Sequence, residues 1–503
     1  MSRRWKTAAG GALVAAAVMT GLIVIAEAQQ AGQGTHPRKN EEGFQFGGYK
    51  PPIKWDGPRR MQPESKNMRL VGWTDMNGRP DGEQVTGQVI NGRDYIFYGH
   101  YWSQGVSIVD VTDPGRPETV AFIPVQVPYG KTTKVQVSGN VLMVPSRTLY
   151  ELDHKGPVLP RHGVTFYDVS DPKKPKELSF FQTATRDEKL PDGVHYSWFA
   201  SKYAYLSAPV NGYNRLIYVI VDVSDPKNPK EAGRWWYPGQ HTAGGEKPQP
   251  GFEDYWVHGA QANRDETLGF AGTLSDPPGG LVILDIKDKS KPTVLSRLDL
   301  SPPMVDGYFG VHNVVTMDSR KILVMMHEAT AAPRSQTQMT GWVVDYSDPR
   351  NPVILSVLPI PEGHDYSKPA RFGPHNAHEN HPNGLVDDYM AYMSWFNGGV
   401  RVFDLSDPKH PFEAGHFRPA DPKRRVDART WNGKPGDPNG SELSSMNHVY
   451  VDKRGYIYAS GYNDGLYILE YTGPRPQGSR TALEEAKRAR GGQVGLAADG
   501  RQD

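Results

Sequence analysis

The sequence of 503 residues contains no cysteine. This absence excludes disulfide bonds, cysteine-ligated metal centres and thiol nucleophiles. The sequence also lacks an excess of either charge, because 57 lysines and arginines and 56 aspartates and glutamates give a formal net charge of +1. Without a basic surplus we expect no nucleic-acid partner. No Gly-x-Gly-x-x-Gly follows a strand and no Gly-x-Ser-x-Gly elbow occurs, so dinucleotide and α/β-hydrolase sites are not expected.

Glycine and proline are abundant, with 54 and 43 copies. Such a content favours a protein rich in turns over a helical one. Hydrophobic residues make up 37% of the chain and aromatic residues 10%, which is enough for a large core. Length alone favours two or three domains, although repeat proteins of this size form a single unit.

The two ends of the chain differ from its middle. Residues 1–28 are typical of an export signal, with Arg3, Arg4 and Lys6 before an apolar run and Ala26-Glu27-Ala28 as the cleavage site. Cleavage predicts a periplasmic or secreted protein without a membrane span, and an uncleaved membrane anchor is the alternative. We interpret residues 29–67 as an N-terminal arm or linker and residues 473–503 as a flexible C-terminal tail.

Between these ends, one unit recurs every 54 to 63 residues. It is an apolar strand that ends in aspartate, followed by an Asp-Pro turn in which the aspartate caps the turn and the proline fixes φ. The strand ends at Asp110, Asp168, Asp222, Asp285, Asp345 and Asp404, and an eroded seventh copy ends at Glu470. A regular period of this size signals a solenoid or a propeller.

Each period contains four strands, which is the content of one propeller blade. Seven copies therefore predict an all-β, seven-bladed β-propeller with four-stranded blades over residues 68–472. The last copy lacks an outer strand after Tyr471, and the segment Met68–Trp73 is predicted to supply it. A β-sandwich is the alternative, but it does not explain the fixed period.

The repeated Val-x-Ile-x-Asp-Val-Ser-Asp-Pro pattern resembles the LVIVD-repeat proteins, a group of exported β-propellers. The resemblance covers about residues 68–471. It implies the fold and export, but it says little about function, because such repeats occur in many poorly characterised proteins.

Histidines occupy one column of this repeat. They open the innermost strand of blades three to seven, as His195, His258, His312, His375 and His448. Blades one and two carry Gln84 and Lys134 at the nearest positions. The first residues of innermost strands lie at one rim of the central channel, so we expect these side chains to converge near the propeller axis.

Long insertions fall on the same face, which is where a rigid scaffold usually carries function. We expect further side chains to support or line the site, namely Glu328, Glu379, His100, His327 and Lys134. Glu379 has the same strand parity as His375, whereas His378 has the opposite parity and is expected to contact a neighbouring blade. Large aromatic residues, such as the pair Trp395-Phe396, are interpreted mainly as blade packing.

Neutral imidazoles that converge on an axis are suitable metal ligands. The column therefore predicts a transition metal, copper or iron, with zinc as an alternative. Two other interpretations remain open. The histidines belong to the ancestral repeat and bond a neighbouring blade, or they form a polar funnel for a substrate.

Two functions follow from these interpretations. The first is an exported metal-dependent oxidoreductase that acts on a small-molecule substrate. Its site resembles the four-histidine iron site of carotenoid-cleaving oxygenases and the copper sites of other propeller oxidases, a likeness of fold alone. The second is a non-catalytic propeller whose long-looped face binds an extracytoplasmic protein, a glycan or a small ligand. The sequence assigns no catalytic residue.

Overall fold

The computed structural model describes residues 63–124, 130–131, 134–148, 161–185, 193–248, 255–275, 280–299, 309–328, 339–361, 371–422, 426, 444–476 and 478–479. The predicted export signal at 1–28 lies outside this part of the chain, as do most of the arm, the tail and the long insertions. In the described ranges no helix has the length and apolarity needed to cross a membrane.

The described chain forms seven antiparallel sheets, which confirms the prediction of a seven-bladed propeller. The chain begins with β1 (Glu64–Lys66) and β2 (Met68–Thr74). Blade one, from the channel outward, comprises β3 (Gly82–Ile90), β4 (Arg93–His100), β5 (Gly105–Asp110) and β6 (Glu118–Pro124). Blade two comprises β8 (Gln136–Ser138), β9 (Val141–Thr148), β10 (Arg161–Asp168) and β11 (Lys176–Thr185), with the short β7 (Gly130–Lys131) beside β9.

Blades three to five repeat this order. Blade three comprises β12 (Ser197–Phe199), β13 (Tyr203–Pro209), β14 (Leu216–Asp222) and β15 (Lys230–Trp235), followed by a 3-10 turn at Thr242–Gly244. Blade four comprises β16 (Trp256–Ala262), β17 (Leu268–Ser275), β18 (Leu281–Asp285) and β19 (Thr293–Leu298), with β20 (Phe309–Gly310) beside β17. Blade five comprises β21 (Asn313–Met317), β22 (Ile322–Met326), β23 (Gly341–Asp345) and β24 (Val353–Val357).

The last two blades depart from the pattern. Blade six comprises β25 (Met390–Ser394), β26 (Val400–Asp404) and β27 (Phe412–Arg418), with β1 as its fourth, outermost strand. Its innermost segment is not a regular strand, and it is joined to β25 by the isolated bridge Ala377–Met393 and by backbone hydrogen bonds such as that from the N–H of His378 to the carbonyl of Tyr392 at 2.9 Å. Blade seven comprises β28 (Met446–Val451), β29 (Tyr456–Gly461) and β30 (Gly465–Tyr471), and β2 is its outer strand.

The N-terminal strand closes the ring as predicted. The pairing of β2 with β30 runs from Met68 opposite Tyr471 to Thr74 opposite Leu466. Residues 64–66, which we assigned to the arm, form β1 instead and pair with β27 of the preceding blade. One short segment therefore joins blades six and seven.

Seven clusters of buried apolar side chains fill the spaces between neighbouring blades. The cluster between blades one and two, for example, unites Phe97 and Ile108 with Leu142 and Val169. The six others occupy the successive interfaces around the ring. The apolar residues of the repeat thus stabilise contacts between blades, and no blade has a separate core.

The turn between the third and fourth strands has the predicted chemistry. In blade two, the Asp171 carboxylate accepts the N–H of Lys173 at 3.1 Å, and Asp168 accepts the N–H of Ser170 at 2.8 Å. The same pair of contacts recurs in blades one, three, four, five and six. Both aspartates of the motif therefore cap local backbone groups.

A second repeated feature, a β-bulge in the outer strands, was not predicted from the sequence. The outer strand of the repeat unit, which is β27 in blade six and β2 in blade seven, has in every blade a β-bulge opposite the middle of its partner strand. The residue that follows the bulge is always small, namely Gly72, Ala121, Ser179, Gly233, Ser296, Ser356 or Gly415. A bulge bends its strand and increases the local twist, so all seven outer strands bend at one level.

These small residues contact the turn of the next blade. The hydroxyls of Ser179, Ser296 and Ser356 donate to the carbonyls of Pro226, Pro349 and Pro408, each at 2.7 Å. At Gly72, Gly233 and Gly415, an added Cβ would collide with the carbonyl of Pro114, Lys289 or Lys66. A backbone carbonyl therefore contacts this residue in six of the seven blades. In five of them the carbonyl belongs to the turn of the next blade, and at Gly415 it belongs to Lys66 of β1.

Substitution at one of these contacts tests their contribution to stability. We expect Gly72→Ala to destabilise the propeller by about 1–3 kcal/mol, because its Cβ meets backbone that cannot rotate away. Leu70→Ala, on the same strand but at a side chain that is 47% exposed, should change stability by less than about 0.5 kcal/mol. Thermal and denaturant unfolding measure both variants, and equal stabilities would contradict the role of the contact.

Candidate metal centre

The predicted column of residues is assembled at one rim of the channel. Bulges interrupt the innermost strands there, between Gly82 and Val85, between Val257 and Gly259, and between Met446 and His448. His258 is the extra residue of its bulge. Bulges re-aim side chains near functional sites, and here they allow polar residues of apolar strands to face the axis.

Four of the five predicted histidines form a continuous arc. The Nε2 atoms of His195 and His258 lie 2.7 Å apart. The ring centroids of His258 and His312 are 3.9 Å apart, and those of His312 and His375 are 4.4 Å apart. All four side chains are buried, so blades three to six bring their imidazoles into mutual contact without solvent between them.

Hydrogen bonds to backbone carbonyls orient two of these rings. His258 Nδ1 lies 2.9 Å from the carbonyl oxygen of His312, and His375 Nδ1 lies 2.9 Å from that of Asn447. When Nδ1 donates to a carbonyl, the lone pair is on Nε2. Both rings then present Nε2 as a ligand atom.

Glu328 places a carboxylate between the arc's histidines. Its Oε2 lies 3.4 Å from His312 Nε2, and its Oε1 lies 3.6 Å from His375 Nε2. His258, His312 and Glu328 present ligand atoms that all lie within 4.8 Å of one another. The buried guanidinium of Arg371 pairs with the same carboxylate and fixes its position.

The electrostatics of the arc favour uncharged imidazole. Burial is the largest cause that lowers the pKa of His195, His258, His312 and His375 well below the usual value. The positive charge of Lys134 lowers all four further. Neutral imidazole is the form that binds metals.

His448, the fifth predicted ligand, is engaged differently. The N–H of Val85 faces its Nδ1 at 3.5 Å, and the Gln84 amide lies 3.4 Å from its Nε2. Both ring nitrogens therefore face blade one. This is the contact with a neighbouring blade that we considered as the alternative role for the whole column.

Two supporting residues lie beside the arc. Lys134 Nζ is 3.1 Å from Glu83 Oε1, and both side chains are buried. His327 directly precedes Glu328, and burial lowers its pKa to about 4. Neither ring nitrogen of His327 has a hydrogen-bond partner in the described ranges.

His100 belongs to a separate network in blade one. Its Nε2 lies 2.7 Å from Ser107 Oγ, and its Nδ1 lies 3.7 Å from Asp81. Asp81 also accepts the N–H groups of Trp102 and Ser103, at 2.5 and 2.6 Å. The order Asp–His–Ser is that of a catalytic triad, but all three side chains are 0% exposed, so the network stabilises the turn and offers no access to a substrate.

Glu379 lies deeper in the channel, as its strand position predicted. It accepts hydrogen bonds from the Tyr196 hydroxyl, from Gln136 Nε2 at 3.2 Å and from Gln261 Nε2 at 3.3 Å. These partners come from blades two, three and four. Burial raises the pKa of Glu379 to about 8, although the hydrogen bond from Gln136 and the charge of Lys134 lower it.

The segment after Glu379 crosses the channel and closes it, which we did not predict. Asn380 donates to the carbonyl of Thr316 at 2.8 Å, and His381 Nε2 lies 2.6 Å from that of Phe199. Asn383 donates to Val137, and the N–H of Leu385 donates to Val451 at 2.9 Å. These four acceptors lie at or near the far ends of innermost strands. Residues 380–385 therefore form a plug at the end of the channel opposite the histidines.

His378 has the predicted contact with another blade. Its Nε2 lies 2.6 Å from the carbonyl of Leu385, and its Nδ1 lies 3.1 Å from the N–H of Val451 in blade seven. It therefore supports the plug and does not face the channel. The sequence signal for the plug was the polar run Asn380–Gly384, which breaks the alternation of a strand.

Aromatic residues that we interpreted mainly as packing border the arc. The Trp256 ring lies 5.1 Å from the His195 ring and 5.2 Å from the His258 ring. Phe396 stacks on His375 at 4.8 Å, and the Arg371 guanidinium lies 3.8 Å above the Phe396 ring. These groups limit the access of water to the ligand atoms.

The comparisons with known proteins concern the repeat and the fold. A model of the LVIVD repeat matches residues 201–236 and 275–299. No curated protein matches the chain. Similar solved structures include the β-propeller domain of Cps50 (Swd1) from Myceliophteria thermophila, which is 11% identical with a TM-score of 0.44 and covers 75% of this chain and 93% of that one.

Two bacterial structures are similar to the same degree. The periplasmic gluconolactonase PpgL of Pseudomonas aeruginosa is 10% identical, with a TM-score of 0.47 and coverage of 77% of this chain and 99% of that one. A protein of Lactobacillus plantarum is 12% identical, with a TM-score of 0.45 and coverage of 78% and 98%. Such identities indicate nothing about activity.

The buried carboxyl of Glu379 predicts a pH-dependent stability. Because its folded pKa is raised from 4.5 to about 8, the folded protein holds a proton that the unfolded chain has lost in that range. Stability should therefore fall as pH rises through this window, by about 1.4 kcal/mol for each unit of pKa difference.

Glu379→Gln tests this expectation, since glutamine resembles the protonated acid. We expect the variant to match the wild type near pH 5 and to exceed its stability above about pH 8. Glu118→Gln, at an exposed carboxylate, should leave the pH profile unchanged. Denaturant unfolding at several pH values provides the measurement, and parallel profiles for the wild type and Glu379→Gln would refute the assignment.

Proposed function

We propose that the chain is an exported metalloprotein of the LVIVD-repeat β-propellers, that it binds copper or iron at the histidine arc, and that it acts as an oxidoreductase on a small-molecule substrate. The observation that carries this proposal is the convergence of buried imidazoles with the Glu328 carboxylate. Export is part of the proposal because residues 1–28 have the pattern of a signal peptide.

The residues fit a transition metal with nitrogen and oxygen ligands. His258 and His375 offer Nε2, and Glu328 offers a carboxylate oxygen beside them. The His312 ring is buried, yet neither of its nitrogens makes a hydrogen bond in the described ranges. Its Nε2 lies 3.4 Å from the Glu328 carboxylate without forming a hydrogen bond, and a metal ion bound to both groups would satisfy the buried nitrogen.

His195 completes a four-histidine set only after a small movement. Its Nε2 lies 2.7 Å from that of His258, whereas two nitrogens on one tetrahedral metal are about 3.3 Å apart. Without metal, one of these imidazoles donates its N–H to the other. To offer its Nε2 to a metal, neutral His195 would carry its proton on Nδ1 instead, and the two rings would separate slightly.

A bound copper or iron ion would supply one-electron chemistry and an open coordination position. The chain's own residues define the surroundings. Arg371 holds Glu328 in place, and the rings of Trp256 and Phe396 shield the ligands. The plug closes the opposite end of the channel, so a substrate would approach from the face with the long insertions.

Metal loading of the purified protein tests the proposal. We expect about one copper or iron ion per chain for the wild type and loss of that ion in the double variant His258→Ala/His312→Ala. His410→Ala removes a histidine that is 82% exposed in a turn and should retain the metal. Absence of metal from the wild type would leave the non-catalytic ligand-binding propeller as the better description.

The different contacts of His312 and His448 generate a second prediction. We expect His312→Gln to weaken metal binding more than about 10-fold, because it removes a ligand nitrogen. His448→Gln should retain the affinity, because both nitrogens of that ring face Gln84 and Val85. Competition with a chromogenic chelator measures both dissociation constants, and equal losses would assign His448 to the ligand set.

A further inference from the structure

A second polar layer lies beneath the histidine arc. Tyr196 donates its hydroxyl hydrogen to Glu379, and Asn313 Nδ2 donates to the Tyr196 oxygen at 3.0 Å. Asn313 Nδ2 also reaches Asn376 Oδ1 at 3.3 Å, and Asn376 Nδ2 donates at 3.1 Å to the Asn447 carbonyl, which also accepts from His375 Nδ1. A continuous set of hydrogen bonds therefore joins the deep carboxyl to a histidine of the arc.

The carboxyl of Glu379 differs from the other acids of the channel. Glu328 pairs with Arg371 and Glu83 pairs with Lys134, so each of these side chains has a cationic partner. In the described ranges Glu379 forms no ion pair, and its partners are the neutral donors Tyr196, Gln136 and Gln261. Its charge in this buried place is therefore sensitive to any other charge nearby.

The geometry also places Glu379 close to the arc. The Tyr196 side chain links them: its hydroxyl donates to Glu379, and the centroid of its ring lies 6.2 Å from that of His258 and 6.3 Å from that of His312. Because both groups are buried and one side chain links them, a change of one charge at the arc alters the proton affinity of the carboxyl.

We propose that Glu379 takes up one proton when a metal at the histidine arc gains one electron, and releases it when the electron leaves. The inference rests on the proposed metal site. In the reducing direction, an external one-electron reductant supplies the electron, a proton from water binds the Glu379 carboxylate, and the new O–H bond forms the carboxylic acid. Oxidation reverses both transfers. The sum of charges in the closed channel then remains constant.

Glu379 therefore balances the charge of the metal without contacting it. Tyr196 links the carboxyl to the arc. The raised pKa of about 8 agrees with this role, because a carboxyl whose pKa lies about one unit from neutral pH changes its protonation in response to a modest change of the charge nearby. The charged group that acts on it is Lys134, whose Nζ also pairs with Glu83 at 3.1 Å.

The midpoint potential of the copper-loaded protein tests the inference without a substrate. We expect the wild-type potential to fall with pH between about pH 6 and 9, with a slope of at most about 59 mV per unit, the value for one proton per electron. Glu379→Gln should lose this slope. Glu118→Gln, on the outer strand of blade one, should keep it.

Tyr196→Phe provides a second variant. Removal of the donor to Glu379 should raise the pKa of that carboxyl, so the range in which the potential changes should move to higher pH. Equal slopes in the wild type and Glu379→Gln, with copper bound to both, would overturn the inference and leave the metal site intact. Failure of the wild type to bind copper would overturn both proposals.

Discussion

The contact between the turn of a blade and the outer strand of the preceding blade, which recurs around most of the ring, determines how the blades are arranged. A turn carbonyl meets a small residue immediately after a bulge, as Pro226 meets Ser179 and Pro114 meets Gly72. The bulge bends the strand so that the carbonyl fits, and glycine or serine leaves room for it. Since apolar interfaces are non-directional, such local contacts fix the angle at which they pack.

A fixed angle between blades has consequences at the axis. It brings the starts of the innermost strands together, and it holds His258 and His312 in contact without water. It also brings their far ends close enough for one segment to bridge four blades. Blade six provides that segment and therefore has no continuous innermost strand. Its fourth strand is β1, which pairs at the outer edge of the sheet.

Much of this protein was predictable from its sequence, for physical reasons that are local. The period of the Asp-Pro turns indicated seven blades, and the missing strand after Tyr471 indicated closure by Met68–Trp73, because hydrophobic alternation and turn chemistry depend on neighbouring residues. The histidine column was visible for the same reason. The plug was not predicted, because the polar run Asn380–Gly384 indicates only that a strand ends, whereas the direction of the chain beyond it depends on contacts with other blades and on the φ of 51° at Asn380.

The sequence by itself determined the architecture and the set of polar residues that lie at the channel rim. Only the tertiary structure decided what each of them contacts. His312 and His448 occupy equivalent positions in the repeat, yet one faces Glu328 and the other faces Gln84, a residue far away in the chain. Ligand geometry and the pKa of a buried group depend on atoms within a few ångströms, and in a closed ring those atoms come from distant parts of the chain.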